Sequence, residues 1–451
     1  MSVGLTAALG EFASSIQFGD IPCTVWPTVR SGFTDCAATM VAGKSEPVVQ
    51  ILKRTLGASE TREATLYFGR EKSGAAEAAW INGAAAHALD YDDVALRGHP
   101  STTLVPALLA EGEVLGNSGA EIATAYVAGY EVWADLVDRE RGKHHDKGWH
   151  PTGIFGPIAA AAACARLRRL DSRRAAAALG IAASRASGLM ANFGTMTKPF
   201  HAGCAAHAGV LAARLAELGM TSAPDALEHP QGFLNAVSQS GDYDARTIRI
   251  GETWQIEKQG LSIKKYPICF AAHRIVDAVL DLAGAQDIKA EQVVHVRVCL
   301  SLLAAKLLRN AFPQTALEAK FSAQFAVAAA LISGNVGLSE LTDEFVRNAG
   351  IQNFMKRVSV ETNEIYDAES PVQSIYDEVH IALAAGKHLS SEQVRRPRGH
   401  PANPLRPGEL WHKFNDCIAA GGGSVDVARL FGALQHVDEL ASVADLYAGQ
   451  A

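Results

Sequence analysis

From the N-terminus to about residue 220, apolar positions recur at three- and four-residue steps, the spacing that lines one face of a helix. The clearest case follows Asn117-Ser118-Gly119, where Ile122, Tyr126, Tyr130, Trp133 and Val137 form one stripe. Ala76–Leu89, Ser172–Ser184 and Ala205–Leu218 carry the same period. Alanine and glycine punctuate these stretches, as closely packed helices of a large bundle require. After about residue 255 the period drops to two. In VVHVRVCL (293–300) Val294, Val296, Val298 and Leu300 share a face, and RVSVET (357–362) and EVHIAL (378–383) repeat the alternation. Such segments predict half-buried strands. A helical stretch, Ala316–Leu331, lies between the first two and ends at Ser333-Gly334-Asn335.

The pattern predicts a mainly α protein. A large helical-bundle domain is built from both chain ends, 1–263 with 396–451, and a smaller α+β domain with an antiparallel sheet occupies 264–395. The Pro/Gly-rich connector RRPRGHPANPLRPGEL (395–410) marks the return to helical text. A chain of 451 residues is long enough for two cores. With 48% hydrophobic and 20% charged residues, the composition is that of a globular protein without membrane spans. The formal charge of −7 argues against a nucleic-acid binder and leaves room for a local cationic pocket that takes a small anion. Seven scattered cysteines without a CxxC pair fit reduced thiols and a cytoplasmic location. The opening MSVGLTAALGEFASS lacks the basic region of a signal peptide.

Four short segments place Lys, His or Asp beside Gly or Pro turns with apolar sequence around them. HALDYDDVALRGHPS holds His87, Asp90, Asp92, Asp93 and His99; HHDKGWHPTGIFG holds His144, His145, Asp146, Lys147 and His150. GTMTKPFHAGCAAHAG holds Lys198, His201 and His207, and IKKYPICFAAH holds Lys264, Lys265, Tyr266, Cys269 and His273. Taken singly, each residue has a plain structural role: Asp92 or Asp93 as a helix cap, His207 in helix packing, His144 and His145 at the surface. His87 and Asp90 could supply two metal ligands, but the spacing offers no third, so no metal is expected. DYDD also fits the DxDD element of protonating terpene cyclases, which the 7% aromatic content does not favour. There is no dinucleotide loop, P-loop or nucleophile elbow. Carboxylates, imidazoles, ammonium groups and a thiol together suit proton transfer next to a substrate carboxylate, with cations steadying the developing enediolate.

HALDYDD…GHPS, GWHPTGIFG, GTMTKPFHAG, IKKYPICFAAH, EAKFSAQFAVAAAL and PRGHPANPL…KF resemble, in order and over about residues 10–430, the MmgE/PrpD family of methylcitrate dehydratases, cis-aconitate decarboxylases and an iminodisuccinate epimerase. The resemblance implies a helical domain from both chain ends, a smaller α+β lid, a homodimer, a site in the interdomain cleft and no cofactor. It implies Asp90 and His99 as acid–base and substrate-orienting groups, Lys198 and Lys264 as binders of substrate carboxylates, and His150 as a substrate contact or proton shuttle. His201 is a further candidate contact. Three positions depart from the decarboxylase pattern, with Val94 for a threonine, Cys269 for a histidine and Phe325 for a tyrosine. Cys269 offers an epimerase the second proton-exchanging group it needs, although a small buried hydrophobe is its plainer role. The expected activity is an iminodisuccinate-type epimerase, then a methylcitrate-type dehydratase. Decarboxylation of cis-aconitate, or silent binding of a polycarboxylate, stands behind these.

Overall fold

A computed structural model describes residues 4–57, 60–140, 144–145, 147–238, 241–246, 248–406, 408–422 and 426–447. Asp146 lies outside the described residues. The chain divides into two compact units, Met1–Ile263 with Gly408–Ala451, and Lys264–Pro407. The connector therefore groups with the second unit up to Pro407, past the boundary at 395 that composition suggested.

The first unit is helical. Its elements are α1 (Leu5–Ser15), α2 (Trp26–Gly43), α3 (Pro47–Leu56), a short hairpin of β1 (Ala64–Thr65) and β2 (Lys72–Ser73), α4 (Ala75–Ala88), α5 (Ser101–Leu115), α6 (Gly119–Arg139), α7 (Pro151–Leu167), α8 (Ser172–Ala183), α9 (Thr197–Glu217), α10 (Phe233–Val237) and α11 (Gln255–Gln259). Helix α6 starts where a capping box forms: the Ser118 hydroxyl accepts from the Glu121 N–H while the Glu121 carboxylate accepts from the Ser118 N–H. All five residues of its stripe are buried. Helices α4 and α9 cross closely, because Gly83 and Gly203 meet there. A Cβ on Gly203 would sit 2.3 Å from the Trp80 carbonyl oxygen, and one on Gly83 would sit 3.0 Å from the Gly203 Cα. Buried Glu111 ties α5 to the end of α7 and to α9, accepting from Arg168 just past α7 at 2.7 Å and from Arg214 of α9 at 2.6 Å.

The second unit contains α12 (His273–Gln286), β3 (Val293–Ser301), α13 (Leu302–Leu307), α14 (Ala316–Ala319), α15 (Ala323–Ser333), α16 (Asp343–Arg347), α17 (Ala349–Met355), β4 (Val358–Asn363), a hairpin of β5 (Tyr366–Asp367) and β6 (Ser370–Ser374), β7 (Glu378–Leu383) and β8 (His388–Ser390). Its four-stranded sheet has the order β4-β3-β7-β8 and is mixed rather than antiparallel. Strands β3 and β4 pair in parallel because α13–α17 carry the chain back between them, whereas β7 pairs antiparallel with both β3 and β8. A bulge at Val293/His295 turns Val293 inward and leaves Val294 exposed, correcting the expected alternation at that end. The stretch 316–331 breaks in two at Ser322, whose hydroxyl caps α15 by accepting from the Phe325 N–H. The chain then returns to the first unit as α18 (Glu409–Gly421), which packs on α2, and α19 (Val427–Gln435). Among the described residues no helix is long and apolar enough to cross a membrane.

Candidate active site

Helix α4 ends at Ala88, and two residues later Asp90 adopts a left-handed conformation, φ 53°. Leu96 and Arg97 do the same at 50° and 61°. Non-glycine residues in this region cost on the order of 1 kcal/mol each, and such strain concentrates at functional sites. The 90–99 loop is held in place by paired hydrogen bonds between Val94 and Ser262, both 2.9 Å, and by a tight turn between Ala95 and Gly98. From the C-terminal segment, Lys413 of α18 reaches in with its ammonium 2.5 Å from Asp35 and 2.6 Å from the Tyr91 carbonyl oxygen, 4.0 Å from the centre of the Tyr91 ring.

His99 lies two residues before α5, His150 is the residue just before α7, and Lys198 and His201 are the second and fifth residues of α9. All are buried, together with Asp90. Lys198 Nζ donates to Asp90 Oδ1 at 2.6 Å and lies 5.4 Å from the Phe193 ring centre. The Nδ1 atoms of His150 and His201 are 3.1 Å apart, so one ring donates to the other. The rings of His87 and His99 are 4.3 Å apart, those of His87 and His150 6.3 Å, and the Thr152 hydroxyl of α7 accepts from the His99 backbone N–H at 3.2 Å. The N-terminal ends of α5, α7 and α9 thus border one group of side chains, and helix N-termini favour anions. Burial first, then the Lys198 ammonium, holds the His150 and His201 imidazoles below the ordinary histidine range. These rings are neutral at physiological pH, a state in which an imidazole can take a proton.

The Asp92 and Asp93 side chains do not behave alike. Asp93 accepts from the Ser101 hydroxyl at 2.6 Å and from its backbone N–H, so the capping role holds for this residue. Burial, with the Asp35 and Asp92 charges adding to it, pushes the Asp93 carboxyl well above its ordinary range. Asp92 caps nothing. It is fully buried, with Oδ1 2.8 Å from His87 Nδ1 and Oδ2 2.7 Å from His99 Nδ1. The capping role expected of Asp92 is thus replaced by contacts to His87 and His99. His144 is also buried rather than exposed, with Nδ1 2.8 Å from Glu140.

The donor atoms of His87, Asp90, Asp92 and His99 lie within 4.8 Å of one another, so the fold supplies the convergent metal ligands that linear spacing lacked. Their present partners oppose that use. Lys198 already neutralises Asp90, and Asp92 has an imidazole at each oxygen. A cation there would have to displace an ammonium group held at 2.6 Å.

Lys264 and Cys269 belong to the second unit. Lys264 is buried, and the Cys269 N–H donates to the Lys320 carbonyl at 2.8 Å. Cys269 is half-buried and packs against the hydrophobic core of this unit. Nearby, the Tyr266 hydroxyl donates to Asp277 at 2.7 Å. Phe325 lies in the core of this unit, edge-on to Phe345.

Two family models account for most of the sequence: an MmgE/PrpD N-terminal domain over residues 7–246 and an MmgE/PrpD C-terminal domain over residues 266–435. The chain belongs to the MmgE/PrpD family. It is 28% identical over 348 residues to a cis-aconitate decarboxylase of Mus musculus, covering 75% of this chain and 70% of the relative. To a cis-aconitate decarboxylase of Aspergillus terreus it is 24% identical over 470 residues, 98% of this chain and 95% of the relative. The segments HALDYDD…GHPS, GWHPTGIFG and GTMTKPFHAG, which carry the likeness to MmgE/PrpD proteins, supply the side chains that meet in the first unit.

Proposed function

We propose that the protein moves a proton at the carbon next to a carboxylate of a small di- or tricarboxylate. One observation carries this reading: a buried Lys198–Asp90 ion pair and the buried His99 and His150–His201 imidazoles lie together beside three helix N-termini. The ammonium group and the helix ends attract substrate carboxylates and stabilise the enediolate that forms as the proton leaves. A neutral imidazole accepts that proton. In this account His99 is the base, because the Asp90 carboxylate is engaged by Lys198 Nζ at 2.6 Å. Lys198 holds a carboxylate; His150 and His201 orient the substrate.

Within this chemistry the preferred outcome is inversion at the reacting carbon, as in an iminodisuccinate-type epimerase. Val94, Cys269 and Phe325, where the decarboxylase pattern has a hydroxyl, an imidazole and a phenol, count against decarboxylation. A tricarboxylate lyase is the second reading, supported by relatives named cis-aconitate decarboxylase that cover 98% of the chain. Incubation with iminodisuccinate, methylcitrate and cis-aconitate in deuterated buffer, followed by proton NMR, separates them. Deuterium at the α-carbon with inverted configuration is the expected result. Loss of water from methylcitrate or of carbon dioxide from cis-aconitate replaces the epimerase with the lyase. No exchange and no product with any of the three refutes the proton-transfer reading.

A further inference from the structure

Asp90 was the carboxylate that sequence pointed to, yet Asp92 is the one that touches the histidines. His99 Nδ1 faces two oxygens. The Asp93 carbonyl takes its hydrogen bond at 2.9 Å, and Asp92 Oδ2 sits at 2.7 Å, beside the bond direction. A carbonyl oxygen can only accept, so Nδ1 must carry the hydrogen. The neighbouring carboxylate carries no hydrogen of its own to offer. Burial alone would raise the Asp92 carboxyl, but the His87 and His99 rings hold it well below the ordinary carboxylate range. His87 completes the arrangement. Its Nδ1 faces Asp92 Oδ1 at 2.8 Å, and burial lowers the imidazole to about 3, so it meets the carboxylate as a neutral N–H donor. The residues that follow Asp92 are held on either side, Val94 by backbone pairing with Ser262 and Asp93 by its side-chain bond to Ser101.

We propose that Asp92 is a positioning residue for His99: the Asp93 carbonyl keeps the hydrogen on Nδ1, and the Asp92 charge beside it orients the ring and stabilises the imidazolium formed when Nε2 takes the substrate proton, with His87 anchoring the opposite carboxylate oxygen. This rests on the proton-transfer reading above. In the step itself the substrate C–H bond breaks, its electron pair moves into the adjacent carboxylate to give the enediolate, and the proton bonds to His99 Nε2. The Nδ1 hydrogen stays on its nitrogen while Asp92 stabilises the resulting imidazolium, a division of labour known from other carboxylate–histidine pairs. Reprotonation of the carbon closes the cycle without any net redox change.

The test combines a tautomer measurement with a kinetic split, using full-length protein. Nitrogen-15 NMR of histidine-labelled protein is expected to show neutral His99 with its hydrogen on Nδ1. Asp92→Asn puts an amide NH2 between the two rings, and its donor must point at one Nδ1. Because the Asp93 carbonyl still accepts from Nδ1, the expected outcome is an unchanged tautomer with a fall in kcat of about 100-fold or more and little change in KM. Asp92→Glu is expected to recover part of kcat. Turnover is read as solvent deuterium uptake by whichever of iminodisuccinate, methylcitrate or cis-aconitate exchanges fastest. A wild-type His99 with its hydrogen on Nε2 overturns the proposal even if Asp92→Asn fails to fold, and so does an Asp92→Asn variant with unchanged kcat. If that variant is normal while His99→Gln is inactive, only the role of Asp92 falls. Full exchange in His99→Gln instead removes the functional reading beneath it.

Discussion

The crossing of α4 and α9 at Gly203 sets where Lys198 and His201 stand, and Gly203→Ala tests this directly. The added Cβ would lie 2.3 Å from the Trp80 carbonyl oxygen and 2.8 Å from Trp80 Cδ1. Reaching even a 3.0 Å approach requires the two helices to part by about 0.7 Å. Neither side yields easily, because the obstacle is backbone and both helices are largely buried. Overpacking of this kind costs about 1–3 kcal/mol, which corresponds to a Tm lower by about 2–10 °C for a domain of this size. The mutated residue is two positions from His201 on the same helix. A displacement approaching 1 Å at catalytic groups can cost about 100-fold in rate, so kcat/KM is expected to fall about 10- to 100-fold. Calorimetry and the deuterium-uptake assay measure the two effects. Gly432→Ala on α19 is the control: nothing lies within 4 Å of its Cβ position, and the change is expected to stabilise by about 0.5–1 kcal/mol. A Gly203→Ala protein that melts and turns over like the native one would refute the claim that this crossing positions the site.

Lys198→Met leaves Asp90 buried without its cation, which typically costs about 3–5 kcal/mol; Asp90→Asn in the same protein should recover part of the lost Tm but not the affinity for polycarboxylates measured by titration calorimetry. Glu131, which accepts from the Gln255 and Ile256 N–H groups at the start of α11, is pushed up by burial to about 7. Its folded value lies above its unfolded one, so its contribution to stability is complete below about 4.5 and is lost as pH rises through about 7. Thermal melts from pH 5 to 8 should therefore fall more steeply for the native protein than for Glu131→Gln, and parallel curves would count against it. The resemblance to MmgE/PrpD proteins implies a homodimer, which sedimentation should report as twice the chain mass.

Helices with a polar cap and an apolar stripe were legible from sequence: Ser118 and Glu121 start α6, and every residue of its stripe is buried. The start of α9 was not. TKPFHAGC reads as a turn because of Pro199 and Gly203, yet proline is tolerated in a first helical turn, whose N–H groups have no intrahelical partner. That misreading placed Lys198 and His201 on a loop instead of at a helix N-terminus. The edge of β3 failed for a different reason, since a bulge shifts side-chain alternation without leaving a mark in composition. Asp90, His99, His150, Lys198 and His201 were legible as motif positions. Asp92 was not, because its partners come together only when the end of α4 meets the starts of α5 and α7. A signal was nonetheless present: a carboxylate between two helices apolar on every side must find polar partners when it is buried.

The central claim is that His99 moves the substrate proton. The most direct test is the rate at which solvent deuterium enters the substrate α-carbon with native protein and with His99→Gln, at matched folding by circular dichroism. The account predicts ready uptake in the native protein and a loss of at least about 100-fold in the variant. Undiminished uptake by a folded His99→Gln protein would contradict it.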